Sequence, residues 1–230
     1  MSDFRLADII IWYFVFVYTT VLHEAGHAWA ALKLGDRTAY EGGQVTLDPI
    51  PHIKREPIGM LVAPLVSWFA YGGRWMVGWA SAPYDPVWAQ RYPRRAAWMA
   101  MAGPAANLII LIISILLLKA GLSAGAFQFS ETFSLASVVE GTSDNKFWEG
   151  CATLLSVTFS LQVVLLVLNL LPFPPLDGSA IPLFFMNERA ATKYQEFMWN
   201  PGMQIFGLLI AWRVCGGLFP HAFALALSLL

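Results

Sequence analysis

Two histidines and a glutamate stand within five residues near the start of the chain. Residues 23–27 read His-Glu-Ala-Gly-His, and on a helix His23 and His27 share one face, where two imidazole nitrogens can bind one Zn²⁺. Glu24 lies about 100° round the helix, where a general base for a zinc-activated water belongs. With four histidines in 230 residues, chance produces this pattern only about 0.002 times. The spacing therefore predicts a hydrolytic zinc centre rather than a hydrogen-bonded cluster with a purely structural role.

A catalytic zinc ion usually takes three protein ligands and leaves one position open, so a third ligand must come from elsewhere. Residues 169–178 read Asn-Leu-Leu-Pro-Phe-Pro-Pro-Leu-Asp-Gly. The prolines end or kink an apolar helix and place a carboxylate at the edge of the membrane. Asp177 is therefore the favoured third ligand, although an Asp-Gly pair alone is more commonly a turn. The remaining candidates are Asp48, His52 and His221.

The composition places these residues in a membrane protein. Hydrophobic residues make up 57% of the chain and charged residues 13%, against roughly 25% charged residues in soluble domains. The chain therefore lacks the polar surface of an ordinary soluble enzyme, and a net charge of -1 argues against a nucleic-acid partner. Cys151 and Cys215 lie far apart in apolar stretches, and we expect both to be buried hydrophobic residues rather than a disulfide.

The sequence predicts an all-α polytopic membrane protein with about four to six membrane segments. Four stretches with at most one charge, each long enough to cross a bilayer, are 9–32, 96–118, 150–176 and 197–230. We expect a single integral membrane domain over residues 1–230, with no signal peptide and no accessory domain. Its predicted parts are a 5–33 helix with the histidine motif, a β or re-entrant region at 41–84, a 96–120 helix, a 150–178 helix ending in Asp-Gly, and a 200–230 membrane segment.

The basic residues predict the orientation of these segments. Eight of the 14 lysines and arginines fall in 33–95, and one falls in 121–149, so 33–95 faces the cytoplasm and 121–149 faces outward. For both ends of 33–95 to lie in the cytoplasm, 57–84 must cross the membrane either twice or not at all. We therefore expect a re-entrant hairpin or a tight two-pass element that turns near Gly72 and Gly73.

A short strand is also expected at 43–47, because β-branched residues alternate there after a Gly-Gly turn. Such a strand is either covered within a hairpin or presents an open edge to an extended substrate chain.

The motifs together resemble the site-two protease family of intramembrane zinc metalloproteases, in its compact form without accessory domains. The two specific matches are His23-Glu-Ala-Gly-His27 and the segment 169–178. Weaker matches are Ala102-Gly-Pro-Ala-Ala-Asn107, similar to a Gly-Pro-x-x-Asn element, and residues 35–39, 43–49 and 52–53. The sequence departs from the common family pattern at Gln44 and Lys54, which leaves the role of 43–56 open.

The resemblance implies that His23, His27 and Asp177 hold one Zn²⁺, that Glu24 is the catalytic base, and that Asn107 lies near the substrate. The alternative for Asn107 is a hydrogen bond between helices.

The family also implies a zinc-dependent endopeptidase of regulated intramembrane proteolysis, in contact with the lipid bilayer. Its expected substrate is a transmembrane or signal-peptide-like protein, with room for a regulatory membrane partner. The expected location is the cell (inner) membrane, with the active site towards the cytoplasm. The alternatives are a catalytically inactive zinc-binding scaffold and a zinc transporter.

Overall fold

The computed structural model describes residues 6–143 and 145–230. The expectation about a signal peptide falls partly on residues 1–5, outside the described residues. The α-helices are α1 (Leu6–Leu34), α2 (Thr38–Glu41), α3 (Pro49–Arg55), α4 (Ala63–Ala70), α5 (Pro86–Arg91), α6 (Pro93–Ser123), α7 (Lys146–Asn169), α8 (Glu188–Met198) and α9 (Pro201–Leu227). A π-helical turn covers Ile58–Val62, a 3-10 helix covers Asp177–Phe184, and the two strands are β1 (Phe127–Ser134) and β2 (Ser137–Gly141).

Four of these helices are long and apolar enough to span a membrane, namely α1, α6, α7 and α9. The prediction of a polytopic helical membrane protein is therefore confirmed. Side-chain caps start two of the spans: Asn145 accepts from the amide of Phe147 at α7, and Asn200 accepts from the amide of Gly202 at α9.

Helices α1, α6 and α7 pack against one another and form the centre of the fold. One buried cluster joins Trp12, Val21, Met60 and Val157, so α1, the π-helical turn and α7 share a core. A second cluster joins the parts of α6, α7 and α9 nearest the two strands to those strands, around residues such as Leu118 and Phe159. Helix α9 is peripheral, because only 11% of its most apolar stretch is buried within the protein.

The strand expected at 43–47 is not formed. These residues make a turn and bends between α2 and α3, because Gly43 takes a positive φ of 73° and Asp48 already caps α3 by accepting from the amide of Ile50. The sheet lies instead between α6 and α7, where β1 and β2 pair antiparallel with Phe127 opposite Gly141 and Phe129 opposite Val139.

The apolar segment 57–84, interrupted by prolines and glycines, doubles back on itself; whether it enters the membrane stays a prediction. The chain turns at Gly72 and Gly73, both with positive φ (64° and 75°), which glycine adopts without strain. Beyond the turn the chain returns beside its own helix, and the amide of Trp79 donates to the carbonyl of Gly59 over 3.1 Å.

The helix predicted over 150–178 is shorter than expected, because α7 ends at Asn169. The proline-rich segment that follows cannot continue a helix, so it folds back against the end of α7. A side chain at Gly178 would collide with the main chain at Leu170 and Leu171. This return brings the 3-10 helix that begins at Asp177 against α6.

Candidate metal centre

Three of the predicted ligands converge on one point. The Nε2 atoms of His23 and His27 lie 3.0 Å apart. One carboxylate oxygen of Asp177 lies 3.1 Å from Nε2 of His23, and the other lies 3.3 Å from Nε2 of His27. Among the residues that the structure describes, these three form the one group of histidine, cysteine and acidic side chains close enough to share a metal ion.

The two histidines come from one face of α1, four residues apart, as the motif predicts. Asp177 comes from the first position of the 3-10 helix, which packs against α6. Helix α8 steadies that segment, because the hydroxyl of Tyr194 donates to the carbonyl of Ser179 over 2.7 Å. Local helix geometry therefore supplies two candidate ligands, and tertiary packing supplies the third.

A main-chain carbonyl fixes the orientation of the second histidine. Nδ1 of His27 lies 2.9 Å from the carbonyl oxygen of Met99 in α6. Because a carbonyl only accepts, Nδ1 donates a hydrogen to it, and in the neutral form of this imidazole the lone pair is on Nε2, the atom that faces the cluster.

Helix α6 comes unusually close to the histidines through two glycines. A side chain at Gly103 would collide with the Nε2 atoms of both His23 and His27. A Cβ atom at Gly26 would lie 2.9 Å from the carbonyl oxygen of Ala102. Both positions require glycine because neighbouring atoms occupy the space of a side chain, and this contact encloses the site.

The arrangement fits a tetrahedral zinc ion. At Zn–N and Zn–O distances near 2.0–2.1 Å, neighbouring ligand atoms of a tetrahedron lie about 3.3 Å apart. The two imidazole nitrogens lie 3.0 Å apart, close to this value. The contacts of 3.1 and 3.3 Å go to different oxygens of Asp177, and one ligand atom from each of the three residues lies within 4.8 Å of the other two. Asp177 lies outside the spanning helices. Burial raises the pKa of its carboxyl, but the imidazoles of His27 and His23 outweigh burial and hold that pKa below its ordinary value. The carboxylate form, the one that a metal ion would bind, is therefore favoured.

Glu24 and Asn107 are both buried. Glu24 follows His23 on α1 and is 6% exposed. Asn107 is fully buried one helical turn beyond Gly103, on the same face of α6. Neither amide atom of Asn107 has a hydrogen-bond partner among the described residues.

The other third-ligand candidates do not reach the cluster. Asp48 is exposed and caps α3. His52 is buried, but its Nε2 bonds to the carbonyl of Thr46 over 3.1 Å. His221 is exposed on α9.

Two buried positions, Gly103 and Gln162, were given no role of their own in the sequence analysis. The contact of Gly103 with the histidine nitrogens depends on how α6 packs on α1, which no local pattern encodes. Gln162 on α7 is fully buried, and neither of its amide atoms has a partner among the described residues. Its signal in the sequence is a carboxamide within a charge-free apolar stretch, which is costly to bury.

Comparisons with known proteins find relatives whose names describe zinc metalloproteases. The protein named "Putative zinc metalloprotease YwhC" of Bacillus subtilis is 31% identical over 166 residues, which cover 72% of this chain and 64% of that protein. The protein named "Putative zinc metalloprotease Rip2" of Mycolicibacterium smegmatis is 34% identical over 160 residues (68% and 50%). Its namesake in Mycobacterium tuberculosis is 35% identical over 159 residues (69% and 51%).

The chain thus spans between half and two thirds of the length of these curated relatives. No solved structure matches it. The family model of peptidase family M50 matches residues 11–210. The chain therefore belongs to peptidase family M50, the site-two protease family.

Proposed function

We propose that this protein is a zinc-dependent endopeptidase that cleaves membrane-spanning or membrane-associated proteins within or near the bilayer. One observation carries the proposal: the imidazole nitrogens of His23 and His27 lie 3.0 Å apart and each lies 3.1 or 3.3 Å from an oxygen of Asp177, while the buried Glu24 follows His23 in the chain. Membership of the family and the names of the relatives support the same activity.

Each residue then has a distinct role. His23, His27 and Asp177 hold the metal ion, and α6 closes over them at Gly103. A bound zinc ion supplies Lewis acidity, which lowers the pKa of water and polarises the peptide carbonyl. Glu24 takes the proton from the attacking water and passes it to the leaving amine. No acyl-enzyme is needed, because water is the nucleophile.

Asn107 is proposed to hydrogen-bond the main chain of the substrate. A buried carboxamide with two unpartnered polar atoms is costly unless a ligand satisfies it. A substrate peptide group offers both a donor and an acceptor, as does the carboxamide. The alternative, a hydrogen bond between helices, has no partner atom among the described residues.

We also propose that the site faces the cytoplasmic side of a cell membrane. The segment 33–95, which follows the histidine motif, holds eight of the 14 basic residues, and such segments stay in the cytoplasm. Asp177 follows the end of α7, and the histidines lie in the second half of α1. A substrate reaching this depth is cleaved near the cytoplasmic membrane surface.

The test is a Glu24→Gln variant, reconstituted in liposomes with a single-span substrate protein. We expect zinc content equal to that of the wild type and no cleavage. Glu41→Gln is the matched control. Glu41 is exposed on α2, and its carboxylate lies 3.5 Å from the guanidinium of Arg37 rather than among the candidate ligands. Cleavage that survives Glu24→Gln would remove this residue as the base. Zinc binding without any Glu24-dependent cleavage would indicate a scaffold, and zinc flux into the liposomes would indicate a transporter.

A further inference from the structure

Helix α9 carries a charge near the centre of its membrane span. Arg213 stands twelve residues after Pro201 and fourteen before Leu227, which places it roughly 18 Å and 21 Å from the two helix ends. The hydrocarbon core is about 30 Å thick, so the guanidinium starts near the middle of the bilayer. An arginine stays protonated in proteins and cannot escape by losing its charge.

Arg213 points away from the rest of the protein. The buried residues of α9 are Gly207, Ala211, Cys215, Phe223 and Ala226. Arg213 is two positions from Ala211, which turns it about 200° round the helix. It is exposed, and it makes no ion pair or hydrogen bond with any residue that the structure describes. The protein therefore leaves this cation facing lipid at mid-membrane depth.

Such a position is unfavourable for a charged side chain. Ionisable residues in membrane spans almost always face a protein interior, a water-filled cavity or a partner of opposite charge. The nearer interface is about 15 Å from the centre, further than an extended arginine side chain reaches. The charge requires a polar partner that the described part of this chain does not supply.

The surface around Arg213 suits the close approach of another helix. Gly216, Pro220 and Ala224 follow one another at four-residue spacing on the exposed side of α9. At Gly216 and Gly217, no described atom lies within 4 Å of the position that a Cβ atom would take. Small residues at a helix surface let two membrane helices approach closely, because nothing holds their backbones apart.

A second copy of this chain does not provide the partner. The acidic residues in the four described spans are Asp8, Glu24 and Glu149. Asp8 and Glu149 lie in the first turns of α1 and α7, near the membrane surface, and Glu24 is buried at the metal centre. Two copies meeting through α9 would bring one Arg213 against the other.

We propose that the face of α9 centred on Arg213 binds a transmembrane helix of a different protein, one that carries an aspartate or glutamate near its midpoint. The carboxylate pairs with the guanidinium, and the small residues next to Arg213 receive the helix backbone. The opposite side of α9 contacts the segment that precedes Asp177, since a side chain at Gly207 would collide with Pro174. The partner thus docks behind the metal centre and is not the cleaved chain.

The probe is a synthetic leucine-rich single-span peptide with one central aspartate, measured by energy transfer to the full-length protein in liposomes at pH 7. We expect this peptide to bind about tenfold or more tightly than its all-leucine counterpart. Moving the aspartate two turns towards the peptide end, about 11 Å, should remove most of the gain. Arg213→Leu should abolish the difference between the peptides.

Two further variants separate charge from shape. Gly217→Leu keeps Arg213 but fills the adjacent surface, so it should weaken binding of the central-aspartate peptide. Trp212→Leu is the matched control, because Trp212 is 58% exposed beside Arg213 and carries no charge; it should leave binding unchanged. Zinc content, equal in all variants, verifies that each one folds.

Three results would overturn the proposal. The first is equal binding of the aspartate and leucine peptides by the wild type. The second is a preference for aspartate that survives Arg213→Leu. The third is self-association without peptide that depends on Arg213, which would assign this face to a second copy. None of these results depends on proteolytic activity.

Discussion

Nδ1 of His27 lies 2.9 Å from the carbonyl oxygen of Met99, so a ligand of the candidate metal site is anchored to the backbone of a different helix. Four residues further along α6, Gly103 touches the other side of the same imidazole. Helix α6 therefore orients the imidazole through one contact and leaves space for it through the other. The position of α6 and the geometry of the site are one structural unit.

Gly103→Ala should disrupt metal binding. The added methyl group would overlap the Nε2 atoms of both His23 and His27, and the backbone of a packed helix cannot withdraw freely. Changes next to metal ligands typically cost about 10–100-fold in metal affinity, and we expect at least that loss. Zinc titration of the purified variant measures it.

Gly150→Ala is the control for this substitution. Gly150 also lies within a spanning helix, α7, and no described atom lies within 4 Å of the added Cβ position. This variant should bind zinc as the wild type does. Equal zinc affinity in both variants would show that α6 does not close over the histidines as described.

The purified protein should hold about one zinc ion per chain. His23→Ala and Asp177→Ala should each lose the metal, whereas His52→Ala and His221→Ala should keep it, because neither reaches the cluster. Elemental analysis after dialysis measures the content. Chelation should also lower the thermal midpoint, because a ligand present at 1,000 times its Kd contributes about 4 kcal/mol to stability. Zinc that persists in Asp177→Ala would contradict the proposed third ligand.

Tyr194→Phe should loosen the third ligand without removing it. The hydroxyl of Tyr194 donates to the carbonyl of Ser179, two residues after Asp177. Losing one such hydrogen bond costs about 0.5–1.5 kcal/mol, so we expect a modest fall in stability and a zinc affinity reduced less than tenfold. Tyr40→Phe is the control, since Tyr40 is 50% exposed on α2. Unaltered zinc affinity in Tyr194→Phe would mean that α8 does not steady the ligand segment.

Local spacing predicted the parts of the site that local geometry determines. His23 and His27 share a face because they are four residues apart on one helix. The prolines before Asp177 end α7 because proline cannot continue a helix, whatever the helix packs against. Charge and hydropathy likewise predicted the four spans, because the bilayer constrains length and polarity directly.

What depends on packing between distant segments could not be predicted in the same way. The carbonyl of Met99 bonds a residue 72 positions away, and every residue has a carbonyl, so the sequence marks none in particular. The prediction of a strand at 43–47 was wrong for a related reason. Alternation fits a strand, but pairing needs a partner of sufficient length, and β1 finds one in β2.

Asn107→Leu distinguishes the two roles considered for this residue. Both amide atoms of Asn107 are buried without a partner among the described residues, and replacing an unsatisfied polar group by an apolar one of similar shape is nearly neutral or stabilising. We therefore expect an unchanged or higher thermal midpoint and unchanged zinc content.

If the amide of Asn107 binds the substrate main chain or the developing oxyanion, cleavage should fall about 10²-fold. An interhelical hydrogen bond would give the opposite result, a loss of about 1–3 kcal/mol in stability with cleavage falling only as the folded fraction falls. Measuring the thermal midpoint and the cleavage rate on the same preparation separates the two roles, because a substrate-binding amide lowers the rate while stability is kept.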